Sequence, residues 1–243
     1  MALYGTERQE QILALLRSHG TVSVSRLSRE LFASEATIRR DLNDLQGQGL
    51  LRRVHGGAML LGGGEQEIPL YLREREMHME KALLAQQAVS FIQPGATILL
   101  DASSTVLHMV PLLARFSDLT VITNSPKTSL ALAEYHIKNY CTGGLLLDNS
   151  LAYVGPRAER AIREVRADIV FFSCRGLGLQ GRLSDSSLDE ISLRQVMLDH
   201  AAQAVCLCDS GKLGKEYLHT LCYARDLTAL LCDKPLPFGT EKR

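Results

Sequence analysis

Two groups of residues in this chain have types and spacings that could do chemistry. The first is compact: Ser34, Thr37, Arg39 and Arg40 lie on one short stretch, followed by Arg52, Arg53 and His55. Arginine forks onto guanine O6 and N7 or pairs with phosphate, and serine and threonine hydroxyls donate to phosphate oxygens. The second group is dispersed behind apolar runs: Asp101-Ala-Ser-Ser-Thr105, Thr123-Asn124-Ser125, Gly143-Gly144, Ser173-Cys-Arg175-Gly176 and Asp209-Ser-Gly-Lys212. If those runs are strands of one open sheet, their ends converge on the edge where such sheets bind ligands. That edge would offer the hydroxyls and backbone N–H groups of Ser103, Ser104 and Thr105 at a helix start. Lys212 could neutralise a phosphate, and Asp101 or Asp209 could accept from sugar hydroxyls. Such a set suits a phosphorylated polyol.

The first group needs a helix to present it. In residues 6–20, Ile12, Leu13, Leu15 and Leu16 form a helical stripe ending before Gly20, and Val24, Leu27 and Leu31 repeat the spacing from Val22 onward. Ser34 can cap a third helix with Ile38, Leu42 and Leu45 inside and Gly47 and Gly49 at its end. A recognition helix enters the major groove by its N-terminal residues, where Thr37, Arg39 and Arg40 stand. Asp41 cannot face phosphate without cost and is expected to pair with a neighbouring arginine. Residues 50–61 predict two short strands around His55-Gly56-Gly57, a hairpin placing Arg52, Arg53 and His55 as a wing.

The second group needs a sheet. Apolar runs at 96–101, 119–123, 168–174, 203–209 and 227–233, with a weaker one at 137–141, alternate with helical segments. Strands buried on both faces and separated by helices predict a mostly parallel, doubly wound α/β domain. The boundaries are expected at 1–61 for a winged helix-turn-helix, 62–74 for a glycine-rich linker and 75–243 for the larger α/β domain.

Composition sets limits. The chain has 243 residues, 46% hydrophobic and 22% charged, with formal net charge zero. No global basic field attracts nucleic acid, so binding would have to come from local charge. With Arg39, Arg40, Arg52 and Arg53 set against Glu35, Asp41 and Asp44, charge alone leaves two readings open: a DNA-reading face, or a solvated helix face with weak ion pairs. Ser103 to Thr105 are likewise open between simple N-capping and ligand binding. The first ten residues lack a signal-peptide core and no apolar run approaches the about 18 residues needed to span a bilayer, so a cytoplasmic protein is expected. Six cysteines fall mostly in apolar runs and read as buried structural thiols, with Cys206 and Cys208 expected on opposite strand faces. Histidines such as His55, His78, His108 and His200 read as scattered surface or wing residues without metal-ligand spacing, and neither metal nor cofactor is implied.

The segment from Ser34 to Ala58, SEATIRRDLNDLQGQGLLRRVHGGA, resembles the signature of the DeoR family of bacterial regulators. Ser34, Thr37, Ile38, Arg39, Arg40, Asp41 and Leu42 match its motif, and Ala33 replaces the usual valine. The resemblance continues through Lys81, Asp101 to Thr105, Thr123-Asn124-Ser125, Gly143-Gly144, Gly155, Gly176 and Asp209-x-x-Lys212. It implies a C-terminal sensor similar to ribose-5-phosphate isomerase, with effector contacts from Lys81, Asp101, Ser103, Ser104, Thr105, Asn124, Gly144, Arg175, Gly176, Asp209 and Lys212. The form Asp-Ala-Ser-Ser-Thr replaces the common Ser-Gly-Thr-Thr loop and looks like the branch that includes the fucose-operon activator. Ser-Gly-Lys replaces Ser-Ser-Lys, and Arg175 adds a charge near the ligand. The implied function is a non-enzymatic regulator, repressor by the family's commoner mode, of a carbohydrate operon. Its partners would be double-stranded operator DNA, a phosphorylated sugar or polyol, and further copies of itself as a dimer or tetramer. Two alternatives are an activator of a deoxy-sugar operon and a sugar-phosphate enzyme with a DNA-binding head, drawing a general base from Asp101, Asp185, Glu190 or Asp209. A sensor domain without a ligand, kept for assembly, is a third.

Overall fold

Apolar spacing in the first sixty residues yields three helices, α1 (Gly5–His19), α2 (Val24–Glu30) and α3 (Glu35–Gly47). The computed structural model describes residues 5–47, 50–54, 56–60 and 70–238. Its contacts divide the chain into two units, Met1–Gln66 and Glu67–Arg243. In the first unit Ile12 and Leu16 from α1, Leu27 from α2, and Ile38 and Leu42 from α3 are buried. Steps of three and four residues set them on the inner side of each helix. Leu15, at the margin of its stripe, is half-buried. Asp41 is buried, and its partner is Arg8 of α1 (Nε–Oδ2 2.5 Å), not a neighbouring arginine. One ion pair thereby ties α3 to α1.

Strands β1 (Thr21–Ser23), β2 (Leu51–Val54) and β3 (Gly57–Leu60) close this unit as an antiparallel sheet in the order β1-β3-β2. The hairpin β2–β3 matches the expectation; its His55 lies outside the described residues. β1 differs, because Val22 and Ser23 were absorbed into the helical pattern that begins at Val24. Three residues carry too little alternation to compete with it. Ser23 ends the strand and caps α2, its Oγ accepting from Arg26 N at 3.2 Å.

The second unit opens with α4 (Leu70–Arg75) and α5 (His78–Ala88). Residues 70–74, expected as linker, belong to α4: Leu70 and Leu72 are buried and Leu70 N donates to Asn149 O at 2.8 Å. Strand β4 (Thr97–Leu100), the short helices α6 (Ser104–Leu107) and α7 (Val110–Leu113), strand β5 (Thr120–Thr123), helix α8 (Pro126–Glu134) and strand β6 (Asn139–Cys141) follow. The hairpin β7 (Leu145–Leu147) with β8 (Ala152–Val154) precedes helix α9 (Pro156–Arg163) and strand β9 (Ala167–Phe172). Then come β10 (Gly176–Leu177), β11 (Arg182–Asp185), α10 (Leu188–Asp199), β12 (Ala201–Leu207), β13 (His219–Tyr223) and β14 (Ala229–Leu231).

The six apolar runs form one parallel sheet, ordered β14-β12-β9-β4-β5-β6. Side chains alternate across it: Ile98, Leu100 and Phe171 join the layer of α5 to α8, while Leu99, Val170 and Phe172 join that of α9 and α10. The opposite-face expectation for Cys206 and Cys208 fails, since residues two apart on a strand share a face. Both lie with Cys174 in the α9–α10 layer. Two antiparallel additions, β7–β8 and β10-β11-β13, have no counterpart in the sequence reading. In β11 the buried positions include Ser184 and Asp185, so no apolar alternation marks it.

Glycine at 57 is what allows β1 to reach β3. A Cβ there would stand 2.5 Å from Val22 O, well inside contact distance. The Gly57→Ala protein should therefore lose about 1–3 kcal/mol in the N-terminal unit. Chemical denaturation followed by hydrogen exchange should show this loss in residues 21–60 with the second unit unchanged; equal protection at Val22 in both proteins would refute the account.

Candidate effector site and nucleic-acid interface

Helix α3 begins with a hydroxyl cap. Thr37 N donates to Ser34 Oγ at 3.1 Å, and the two hydroxyls of Ser34 and Thr37 lie 2.8 Å apart. Both side chains of Arg39 and Arg40 are exposed on the first turns that follow. Arg39 pairs with Glu35 at 3.2 Å, an exposed contact of small energetic weight. Arg40 has no ion pair among the described residues. The wing arginines differ from each other. Arg52 is exposed, with only Met59 Sδ at 3.8 Å, whereas Arg53 bonds Asn43 Oδ1 at 2.6 Å and so braces the hairpin against α3. Gln46 Oε1 accepts from Arg53 N at 2.8 Å and adds to that brace.

In the second unit, β4 and β9 are the adjacent central strands from which the chain proceeds outward in opposite directions. Ligands of open α/β sheets sit at such a switch point, beyond the carboxyl ends of the strands. Asp101 follows β4 and is buried; its Oδ1 accepts from Ser103 N and its Oδ2 from Ser173 N, each at 3.1 Å. Burial pushes its carboxyl above the usual range, and Arg194 opposes that. Ser103 caps α6 through Val106 N at 3.1 Å, so the N-capping role is present.

Two lysines stand over this turn. Lys81 of α5 donates to Ser104 Oγ at 3.1 Å and, on its other side, to the Arg73 carbonyl of α4. Its burial, followed by repulsion from Lys212, lowers its pKa to about 8. Lys212 donates to Thr105 Oγ1 at 3.1 Å and Ser173 Oγ at 2.8 Å. Burial works against its charge, but Asp209 outweighs it and the net pKa is raised. Asp209 Oδ2 is ion-paired with Lys212 Nζ at 2.9 Å and takes no other donor among the described residues. Asn124 Nδ2 donates to Tyr153 O at 3.1 Å, and its buried Oδ1 has no partner. The edge thus combines two ammonium groups with one unfilled acceptor and a carboxylate shared with Lys212, the complement of an anion bearing hydroxyls.

Three further expected contact residues also have close neighbours within the chain. Arg175 donates to Asp185 Oδ1 at 3.1 Å. Gly144 (φ +122) and Gly176 accommodate close backbone: a Cβ would come within 2.7 Å of Val154 O in the first and 2.4 Å of Lys215 O in the second. Sequence reading missed Arg194, which no motif marks. Its fully engaged guanidinium donates to Asp101 Oδ2 at 3.1 Å, Asp185 Oδ2 at 2.7 Å and Glu190 Oε2 at 2.5 Å. Burial works against ionising Asp185, yet Arg194 and Arg175 hold its pKa at about 2. His78 and His108 are not scattered either. Their rings meet edge-on at 4.9 Å, and His108 Nδ1 lies 2.8 Å from Ser104 O.

Comparison with known proteins accords with this division. Residues 8–62 match the DeoR-like helix-turn-helix domain and residues 76–234 the DeoR C terminal sensor domain. The chain is 35% identical to the HTH-type transcriptional regulator YulB of Bacillus subtilis over 97% of its length and 92% of that protein. It is 31% identical to the lactose phosphotransferase system repressor of Staphylococcus epidermidis (93% and 91% covered). It is also 31% identical to the L-fucose operon activator of Escherichia coli (93% and 94%). Among solved structures, a D-ribose-5-phosphate isomerase in complex with phospho-erythronic acid aligns over 56% of this chain and 54% of its own, with TM-score 0.43 and 17% identity. Matched across both units, the chain belongs to the DeoR family of transcriptional regulators.

Proposed function

We propose that this protein is a cytoplasmic repressor of a carbohydrate operon, released or retained on its operator by a phosphorylated sugar or polyol at the β4–β9 edge. The observation that carries the reading is the convergence of Lys81 and Lys212 on Ser104 and Thr105, beside the donor-free Asn124 Oδ1 and the Lys212-paired Asp209. A phosphoryl group takes the ammonium and hydroxyl donors, and ligand hydroxyls bond Asn124 Oδ1 and share the Asp209 carboxylate with Lys212. Ser103, Asp101 and Gly176 shape the turn that receives it, and Arg175 and Gly144 act behind it. Relatives named for lactose and fucose systems agree with a carbohydrate ligand.

Lys81 gives the ligand a path outward. Its ammonium is shared with the Arg73 carbonyl of α4, the helix that follows the segment joining the two units. A phosphate competing for Lys81 changes that bond and so favours one arrangement of α4. The effect on operator affinity is bounded by the ligand's preference between the two arrangements. On the DNA side, Ser34 and Thr37 serve phosphates, Arg40 and Arg39 the major groove, and Arg52, Arg53 and His55 the adjacent backbone. Two or four copies would present paired modules to a repeated operator. An enzyme is disfavoured because Asp101, Asp185 and Glu190 are all bound by Arg194 and Asp209 faces Lys212.

Purified protein should bind DNA from its own upstream region, and one member of a sugar-phosphate panel should change that affinity at fixed salt. Reporter expression rising on deletion of the gene would support repression, and falling expression would make it an activator. The absence of specific DNA binding under every condition would sink the reading. Arg40→Ala should cost about 1–3 kcal/mol on the operator if the residue reads a base, and less on unrelated DNA. An equal loss on both would make Arg40 a phosphate contact. Because Lys81 binds the anion only when protonated, effector affinity should fall as pH rises through its pKa of about 8. The expected loss is about tenfold between pH 7 and pH 9. A flat profile over that range would remove Lys81 from the phosphate.

A further inference from the structure

Cys174 and Cys208 sit behind the effector edge, their sulfurs buried and 3.8 Å apart. The parallel ladder ends with Cys206 opposite Phe172, and Cys208 and Cys174 each stand two residues beyond that pair. Adjacent strands run about 4.8 Å apart, inside the Cα separation that a disulfide tolerates. Both side chains point into the same apolar layer, so bond formation needs the sulfurs to close by about 1.8 Å without turning either strand over.

We propose that Cys174 and Cys208 form a reversible disulfide that locks the ends of β9 and β12 and rearranges the residues of the effector edge. The neighbours on each side transmit the change. Ser173 Oγ donates to Leu207 O at 2.5 Å across the same two strands and accepts from Lys212 at 2.8 Å. Asp209 directly follows Cys208 and pairs with Lys212. Drawing the sulfurs together strains the Ser173–Leu207 bond and moves Asp209, so Lys212 loses its present set of partners. The meaning of that shift for a ligand rests on the effector reading above; the disulfide itself does not.

Cys174 is the attacking group. The neighbouring Cys206 and Cys208 thiols, the second 3.8 Å from its sulfur, and the charge of Lys212 outweigh burial and set its pKa well below the usual value, while those of Cys206 and Cys208 are raised. The burial of the pair selects a small oxidant, hydrogen peroxide. The Cys174 thiolate attacks one peroxide oxygen, the O–O bond breaks, and the other oxygen leaves as hydroxide and is protonated to water. Cys208 sulfur then attacks the resulting sulfenic acid, forming the S–S bond and expelling the second water with the Cys208 thiol proton. Two electrons pass from the two thiols to one peroxide, and a small dithiol returns them. Exposed Cys141 and half-buried Cys222 and Cys232 make no sulfur–sulfur hydrogen bond among the described residues and serve as internal references.

The full chain should be treated with stoichiometric hydrogen peroxide, alkylated after denaturation and mapped by tandem mass spectrometry without reduction. The expected product is a Cys174–Cys208 cross-linked peptide, two hydrogens lighter than the sum of its parts, abolished by dithiothreitol and absent from Cys208→Ala. Full alkylation of both residues, or a Cys174–Cys206 link in their place, would overturn the proposal. Hydrogen exchange in 207–213 should differ between the oxidised and reduced chains and be insensitive to peroxide in Cys208→Ala. Identical exchange in a cross-linked chain would refute coupling to the edge. Neither readout needs a ligand, so a protein that answers to no sugar phosphate would sink the effector reading and leave this one intact.

Discussion

The sensor unit depends on one buried guanidinium. Arg194 brings Asp101 from the end of β4, Asp185 from the end of β11 and Glu190 from its own helix onto a single positive group. Burying a carboxylate without a partner costs several kcal/mol, and removing one partner from a buried pair costs about 3–5 kcal/mol. Polar strand ends can therefore meet at the switch point only because a charge reaches them from below. The same contact fixes Asp101, which in turn holds the backbone N–H groups of Ser103 and Ser173 on two neighbouring strands. The turn that offers Ser104 and Thr105 to the two lysines is thus set by α10, an element that contributes nothing to the edge directly.

This division of labour explains which polar groups remain open to a ligand. Asp185 and Glu190 are consumed in holding Arg194, and Arg175 is consumed in holding Asp185. Lys81 and Lys212 are anchored only by hydroxyls, a carbonyl and one carboxylate, partners that a phosphoryl group can replace. Structural rigidity lies beneath the edge and exchangeable bonds lie on it.

The sequence made the parallel sheet legible because its strands are apolar on both faces and separated by helices, a pattern that survives without knowledge of neighbours. The cores of α1, α2 and α3 were legible for the same reason, their periodicity being local. What escaped was non-local or short. β1 is three residues long and exists because Gly57 lets it approach β3. β11 buries Ser184 and Asp185, and a buried polar strand carries no hydrophobic signature. Arg194 looks like any arginine paired along its helix, here with Glu190, until Asp101 and Asp185 are brought to it from other elements. Lys212 was legible at the end of an apolar run and Lys81 through a matched motif, whereas the ion pair of Arg175 and the close backbone at Gly144 and Gly176 left no local mark. Cys206 and Cys208 were misassigned by a periodicity error, not by missing information.

The net charge of zero, which weighs against nucleic acid at first sight, is consistent with how the N-terminal unit spends its cations. Arg8 neutralises Asp41, Arg26 pairs with Glu30 and Arg53 braces the wing, so these charges build the module. Arg40 and Arg52 are left exposed without carboxylate partners among the described residues, with Arg39 in a weak pair that DNA can exchange. A single module with so few available cations releases few counterions and gains little from the phosphate field. In the proposed reading, its affinity comes from base contacts and from repetition of the module on the operator. Weak individual grip also suits a regulator, because a coupling of 1–3 kcal/mol (about 5–150-fold) from a small ligand is then enough to decide whether the operator is held.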